Sequence, residues 1–433
     1  MYIDRDYTIN AELLNELIDK HEEKIERLQG LEDYYLGTHN AIDKRYDGYE
    51  YISKNKVVIN HAKYITDIAT GYLMGKKIDY NSEYDLDPVL EKYNKQSIND
   101  LDLQIATTCS YAGKSLDYTY VNEEGNIKTT QIDITSGFVV YDDTVDHNKL
   151  FGLMYEEVEG TYEITLADDM SIFDIKLKGN DITIEITPHF LGDVPFVEYH
   201  NNPNSQGDFE QVMSLIDAYD FLQSDRVNDK EQLVNAILVI MGSTMDEETI
   251  EKLKKYRMMF LSNDEKAEYL TKGLNETDVE VLKKSLEADI HKISMVPNMS
   301  DENFANNLSG VAMKYKLLAF EQMTIKKERY FEKGLLERFA LYNYYLNIKE
   351  NMPIVPIEDI NVIFTRNLPI NDLEIADMIV RLDGKVDDET LIGRLSFIDD
   401  ASAIIERVEE KKAQNMENYL GNFGEVEETS EEE

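Results

Sequence analysis

Between about residues 115 and 199 the apolar residues recur with period two, and no helical stretch interrupts the pattern. Runs at 127–134, 138–141, 151–157, 162–166, 173–178 and 182–187 read as short strands. Turn pairs such as Glu124-Gly125 and Gly179-Asn180 separate them. Strands this closely spaced, with no crossover helix, predict an antiparallel sheet. Helical segments lie on both sides of the block, so the predicted class is α+β.

Asn10 is placed to cap a first helix, in which Leu14, Leu17, His21, Ile25 and Leu28 follow at three- and four-residue steps. Gly30 and Gly37 loosen its end, and a second helical stretch covers 60–74. The Asn- and Gly-rich segment 201–207 is a sharp break. Asp208 then reads as the cap of a helix with Phe209, Val212, Ile216 and Tyr219 on one face. A compact insert follows. It has an apolar strand at 236–242, a capping box at Thr244 and Glu247, and strands at 258–261 and 267–270. A second capping box, Thr277 and Glu280, opens a helix with Val279, Leu282, Leu286, Ile290 and Ile293 on one stripe. Residues 294–307 are irregular, and a long helix runs from about 308 past 339. A strand at 359–365 and two short helices follow. The last 12 residues hold six Glu and no base, and are expected to be disordered.

Charge narrows the function classes. Among 433 residues, 86 are acidic and 44 basic, a net charge of −42. A free-standing nucleic-acid binder needs a basic face, so that class is disfavoured, whereas a protein that surrounds DNA without gripping it is compatible. A single cysteine, Cys109, excludes an intramolecular disulfide framework and fits a reducing compartment. It reads as core packing in a helix. The start of the chain lacks the pattern of a signal peptide, and no window approaches about 18 uninterrupted apolar residues, so no membrane association is expected.

The familiar chemical motifs fail. Gly113-Lys114-Ser115 has the ending of a phosphate loop, but Thr108 stands where its first glycine is required. The segment 71–77 is one residue too short and lacks Ser or Thr after the lysine. No His-Glu-x-x-His or Cys-x-x-Cys pair suggests zinc. Asp142, Asp143, Asp146 and His147 are the nearest approach to a metal cluster, and a solvated turn explains them better. No nucleophile elbow is present, and His189 and His200 read as structural. No catalytic residue, cofactor or metal is predicted.

The order of motifs resembles the portal proteins of tailed bacteriophages, of the siphophage type found in Gram-positive hosts. Tyr34-Tyr35-Leu36-Gly37, then 55–60 (NKVVIN) and 71–75 (GYLMG), look like the family's opening. The segments 138–146 (FVVYDDTVD), 195–202 (PFVEYHNN) and 235–242 (NAILVIMG) look like its sheet and the start of its stem. Residues 307–316 (NLSGVAMKYK), opening the long helix, are the most specific match. Residues 364–371 (FTRNLPIN), 384–390 (GKVDDET) and Glu406 complete it. Asp387 stands where relatives often carry Ser, and either residue caps a helix.

The resemblance implies a portal architecture. An antiparallel-sheet wing would cover 1–207 and a first stem helix 208–235. A small α/β clip would cover 236–275 and a second stem helix 276–293. A tunnel loop at 294–310, a long kinked helix returning to the wing at 311–383, a helical crown at 384–421 and an acidic tail at 422–433 complete the division. It implies a homo-oligomeric ring of about twelve subunits in the virion, and about 12 or 13 when isolated. Double-stranded DNA would pass through without sequence specificity. Terminase large subunit, a head–tail adaptor, and the major capsid and scaffold proteins would be partners. The location would be the portal vertex of the capsid, and the host cytoplasm during assembly.

Candidate residues facing the DNA channel are Lys283, Lys284 and Lys292 on the second stem helix, and Asn298, Asn303, Asn306 and Asn307 in the loop. Ser309 and Gly310 would relax the start of the long helix as a hinge. Residues 306–339 carry seven bases and four acids, with Lys314, Lys316, Lys326, Lys327 and Arg329 at their centre. These bases would face phosphate, pair with acidic neighbours in the ring, or be solvated. Two alternatives remain: another capsid or scaffold protein, and an acidic cytosolic enzyme with a carboxylate site around Asp142 and Asp146. The period-two block argues against a scaffold, which should be mostly helical.

Overall fold

The computed structural model describes residues 1–45, 55–234, 237–241, 266–270, 276–300, 310–366, 372–382, 384–393, 395, 404–405, 407–408 and 411–412. The chain divides into two compact units. One comprises Met1–Asn307 with Met313–Asn367, the other Leu308–Ala312 with Leu368–Glu433.

The first unit opens with strand β1 (Tyr2–Ile3) and helix α1 (Ala11–Leu36). Asn10 caps α1 as its sequence predicts, its side-chain oxygen accepting from Leu13 N at 2.9 Å. Helices α2 (Asn40–Arg45) and α3 (His61–Met74), strand β2 (Asp79–Asn81), and helices α4 (Asp87–Lys95) and α5 (Ile98–Ala112) follow. Eight strands come next: β3 (Lys114–Val121), β4 (Ile127–Ile132), β5 (Gly137–Asp142), β6 (Lys149–Val158), β7 (Thr161–Ala167), β8 (Ser171–Lys178), β9 (Asp181–Pro188) and β10 (Phe196–His200). The predicted alternation is realised, with one correction. The strands form two sheets rather than one, ordered β1-β5-β6-β7-β8-β9 and β10-β3-β4, and β1 joins its sheet parallel to β5.

The two sheets pack through Leu116, Tyr118, Val139, Ala167 and Phe196. At the contact a Cβ on Gly152 would meet Phe196 Cβ at 2.3 Å, so only glycine lets the sheets approach this closely. The outer face of the larger sheet is covered by α1, through Leu14, Leu17 and Ile18 against Phe138, Phe151 and Leu166. His21 also faces this core. Its Nε2 donates to Ile134 O at 3.0 Å and its Nδ1 accepts from Tyr155 Oη at 2.9 Å.

The first unit continues with a short 3-10 turn (Glu210–Val212), α6 (Met213–Val234), β11 (Ile237–Met241), β12 (Lys266–Leu270) and α7 (Glu276–Ser294). Strands β11 and β12 stand where strands 236–242 and 267–270 are predicted, and they pair antiparallel. The predicted capping box at Thr244 and Glu247 and the strand at 258–261 lie outside the described residues. Helix α8 (Gly310–Lys316), which belongs to the first unit from Met313 on, precedes helix α9 (Leu318–Glu350), and the two are separated at Leu317. Strand β13 (Asn361–Ile363) closes the unit by pairing with β2. In the second unit are α10 (Asp372–Leu382) and α11 (Asp388–Ile392), the latter capped by Asp387, whose carboxylate accepts from Thr390 N at 2.8 Å. The acidic tail at 422–433 lies outside the described residues.

Helix α9 supplies the centre of the first unit. Phe331, Leu335, Phe339 and Tyr342 are buried with Ile105, Val197 and Tyr199. Among these apolar groups lies a fully buried cation, Arg338. Its guanidinium donates to Asp102 on α5 at 2.5 Å and to Asp117 on β3 at 3.3 Å. Tyr199 on β10 donates to the same Asp117 oxygen at 2.8 Å. The guanidinium carbon also lies 5.4 Å from the Tyr93 ring centre and 5.8 Å from that of Tyr199. Burial opposes the charge on Arg338, but Asp102 and the neighbouring groups hold it protonated. Burial also lifts the Asp117 carboxyl to about 6, with the guanidinium opposing the rise.

Removing the cation should strand two buried carboxylates. Arg338→Met is expected to destabilise the fold by about 3–5 kcal/mol in urea titrations. With the guanidinium gone both folded carboxyl pKa values rise further. Protonation then favours the folded state, so the variant's deficit should be smaller at pH 5 than at pH 8.

Candidate functional site

The helix α7, paired with α6, carries Lys283, Lys284 and Lys292, three of the residues that the sequence singles out. Charged side chains link the two helices. Arg226 on α6 donates to Glu276 at 3.1 Å and to Glu280 at 3.3 Å, one turn apart on α7. Lys230 reaches Glu276 at 3.1 Å. Two predictions are corrected here. Thr277 lies inside α7 rather than capping it, and Glu280 serves the interhelical pair instead of a capping box. Asp208 does not cap α6 either. Its buried carboxylate accepts from Ser110 Oγ at 2.5 Å, from Asn201 Nδ2 at 2.8 Å and from Lys327 on α9. Lys327, read from sequence as one of several exposed or paired bases, is thus a buried partner within its own chain.

Helix α6 is fixed along its length by the segment 55–59. Asp220 accepts from Ile59 N at 2.8 Å, Ser224 accepts from Val57 N at 2.9 Å, and Asn228 accepts from Asn55 N at 2.8 Å. Ser224 and Asn228 also donate back to the carbonyls of Val57 and Asn55, each at 3.3 Å. Every fourth helix residue therefore serves every second residue of the other segment. Eight helical steps cover about 12 Å, so four residues of the segment span about 3 Å each, which is an almost fully extended chain. The other Asp220 oxygen meets His39 Nδ1 at 2.5 Å, and that ring stacks on Tyr34 with centroids 4.4 Å apart. Sequence reasoning marked 55–60 and α6 separately. The serine and asparagine at four-residue spacing behind Asp220 were the signal that could have joined them.

At the other end of the pair, the chain leaving α7 turns back on itself. Met295 has φ +60°, and His291 Nδ1 donates to Val296 O at 2.9 Å. Tyr64 on α3 accepts from Met299 N at 2.7 Å and donates to Pro297 O at 3.3 Å. His61 lies edge-on to Tyr219 and to His291, with centroids 4.8 and 5.8 Å away. Burial, with His291 adding to it, lowers the His61 pKa.

A family model described as "Phage portal protein, SPP1 Gp6-like" matches residues 14–418. The chain belongs to this portal family. It is 25% identical to the portal protein of Bacillus phage SPP1 over 445 aligned residues, covering 94% of this chain and 87% of that protein. It is also 25% identical over 259 residues to the portal protein of Clostridium phage phiCD119, covering 58% of this chain and 55% of that protein. Phage portal proteins are structural, so this portal protein is not an enzyme.

The remaining candidates can be placed on the portal chain. Lys284 and Lys292 are exposed on α7, and Lys283 is half-buried. Of the predicted apolar stripe on α7 only Ile290 is fully buried, while Leu282 is 49% and Ile293 45% exposed. Asn298 is half-buried and donates to Glu287 at 2.7 Å. Asn303, Asn306, Asn307 and Ser309 lie outside the described residues, and Gly310 is the first residue of α8. Asp142, at the centre of the alternative carboxylate site, is committed to a local turn. It accepts from Thr144 Oγ1 at 2.7 Å, and from Asn148 N and Nδ2 at 2.9 Å each. Cys109 is buried against Tyr199 O, and burial raises its thiol pKa. Among the described residues no helix is long and apolar enough to cross a membrane.

The ladder on α6 is open to a direct test. Ser224→Ala should leave the Val57 N–H without an acceptor and cost about 1–3 kcal/mol of stability. Amide hydrogen exchange should show loss of protection concentrated at Val57, while Arg338 and its neighbours in the core keep theirs.

Proposed function

We propose that this portal protein assembles as a ring around a DNA channel at one vertex of the capsid, through which the genome is packaged, retained and released. The observation that carries the reading is the outward face of α7. Val281 is 64%, Leu282 49% and Ile293 45% exposed on a helix whose opposite side is paired with α6. An apolar face of this kind on a single subunit is suited to burial against a second copy, and a head-to-tail contact that closes makes a ring.

In this reading 1–207 is the wing, α6 and α7 are the stem pair, and 236–275 is the clip. Residues 294–310 form the tunnel loop, 311–383 the long helix and its return, and 384–421 the crown. Among the described residues the strands β11 and β12 form a two-stranded sheet, which strands of neighbouring subunits would complete. The clip would meet the terminase large subunit during packaging and a head–tail adaptor afterwards, while the wing would meet capsid and scaffold proteins. Assembly would take place in the host cytoplasm.

The channel would need weak contact, because DNA must slide. A net charge of −42 per subunit with few bases on the wall suits this. Lys283, Lys284 and Lys292 are the candidate bases of that wall, and Asn298, Asn303, Asn306 and Asn307 the candidate polar contacts of the loop. Asn298 would face DNA only after leaving Glu287. Ser309 and Gly310 would serve as the hinge.

Light scattering of the purified protein should give a ring of about 12 or 13 subunits. Val281→Asp with Leu282→Asp should shift it to small species with unchanged circular dichroism. A wild-type protein that is monomeric at every concentration would reject the ring. For the channel, a photoreactive residue at position 303 should crosslink to packaged DNA, and one at Asp143 should not. The reverse pattern would remove the loop from the channel.

A further inference from the structure

The first unit contains a polar cleft of about 960 Å³, bounded by α1, α9 and the outer edge of β10. Its carboxylates are already engaged. Glu198 is held by Lys114 at 2.6 Å and by Tyr141 Oη at 3.1 Å. Glu210 takes a forked contact from Arg27 at 2.8 and 2.6 Å, and Glu337 is met by Lys149 at 2.7 Å. Two lysines of the cleft have no such partner. Lys24 on α1 and Lys333 on α9 are both exposed, and among the described residues neither has a carboxylate within 4.0 Å. Lys333 lies instead 5.3 Å from the ring centre of Tyr330.

The cleft is therefore locally cationic in a chain of net charge −42. The neighbouring turn offers few acceptors, because Asn202 already bonds within it, donating to Gln206 O at 2.7 Å and accepting from Gln206 N at 3.1 Å.

We propose that this cleft binds a carboxylate-rich peptide segment of a partner protein, with Lys24 and Lys333 as its two anchoring contacts. Donors that stand unmatched on two different helices suit carboxylates spaced along a chain. A compact phosphate is better served by donors that converge on one point, such as the backbone N–H groups of a helix N-terminus. The cleft is also far too small to admit a DNA duplex.

The test uses the full-length protein and fluorescein-labelled hexaglutamate, followed by anisotropy at low salt. Saturable binding is expected, weakening as salt rises. The double variant Lys24→Gln, Lys333→Gln should bind about tenfold more weakly. A control with the same loss of charge, Lys326→Gln with Arg329→Gln, should bind like the wild type. The proposal is overturned by absence of saturable binding or by equal weakening in the control. It is also overturned if hexathymidylate or inorganic phosphate displaces the peptide at concentrations below that of unlabelled hexaglutamate.

Discussion

Much of the first unit depends on one buried cation. Arg338 reaches carboxylates on α5 and β3, and its ring neighbours come from α4 and β10. A guanidinium out of water tolerates few arrangements, because each misplaced donor leaves a charge uncompensated. The apolar contacts of α9 through Phe331, Leu335 and Phe339 would tolerate small slips along the helix axis. The forked contact of Arg338 would not. It sets the register of a 33-residue helix against the small sheet, and through that sheet against the larger one. Lys327 and Asp208 repeat the arrangement three helical turns away, where α9 meets the chain just before α6.

The polar devices also divide the work between framework and helix pair. The framework of the first unit is held by aromatic packing around Arg338. The α6–α7 pair is held to it by side-chain hydrogen bonds to the backbone of 55–59, and by Tyr34 and His39 at Asp217 and Asp220. Hydrogen bonds to backbone fix direction and spacing but bury little apolar surface. This leaves the outer face of α7 available, with Val281 and Leu282 uncovered in the single chain.

What could be read from sequence follows from which signals are local. The caps at Asn10 and Asp387 and the alternation through β4–β9 are local, and all appear where the residues place them. The split into two sheets was not legible. On β3 the polar residues Asp117 and Thr119 alternate with apolar ones, yet both are fully buried, Asp117 against Arg338 of α9. Asp208 and Thr277 read as caps because their spacing fits the rule, but a buried lysine claimed one and the helix began a residue before the other. Around the candidate site, the two helices α6 and α7 were legible. The fold-back of 295–300 onto Tyr64 was not, since it depends on a partner more than 230 positions away in sequence. The family resemblance could be read because it rests on the order of several short segments, which survives where single residues change.

The ladder between α6 and 55–59 works as a vernier. Four residues of helix advance about 6.0 Å, whereas two residues of extended chain advance about 6.6 Å. Each rung adds about 0.6 Å of mismatch, so three rungs remain within hydrogen-bond tolerance and a much longer series would not. Such a scale has one zero. Sliding α6 by a single residue turns it by about 100° and carries all three side chains off the segment at once, so the start of the helix is indexed to within one residue before any second subunit is present.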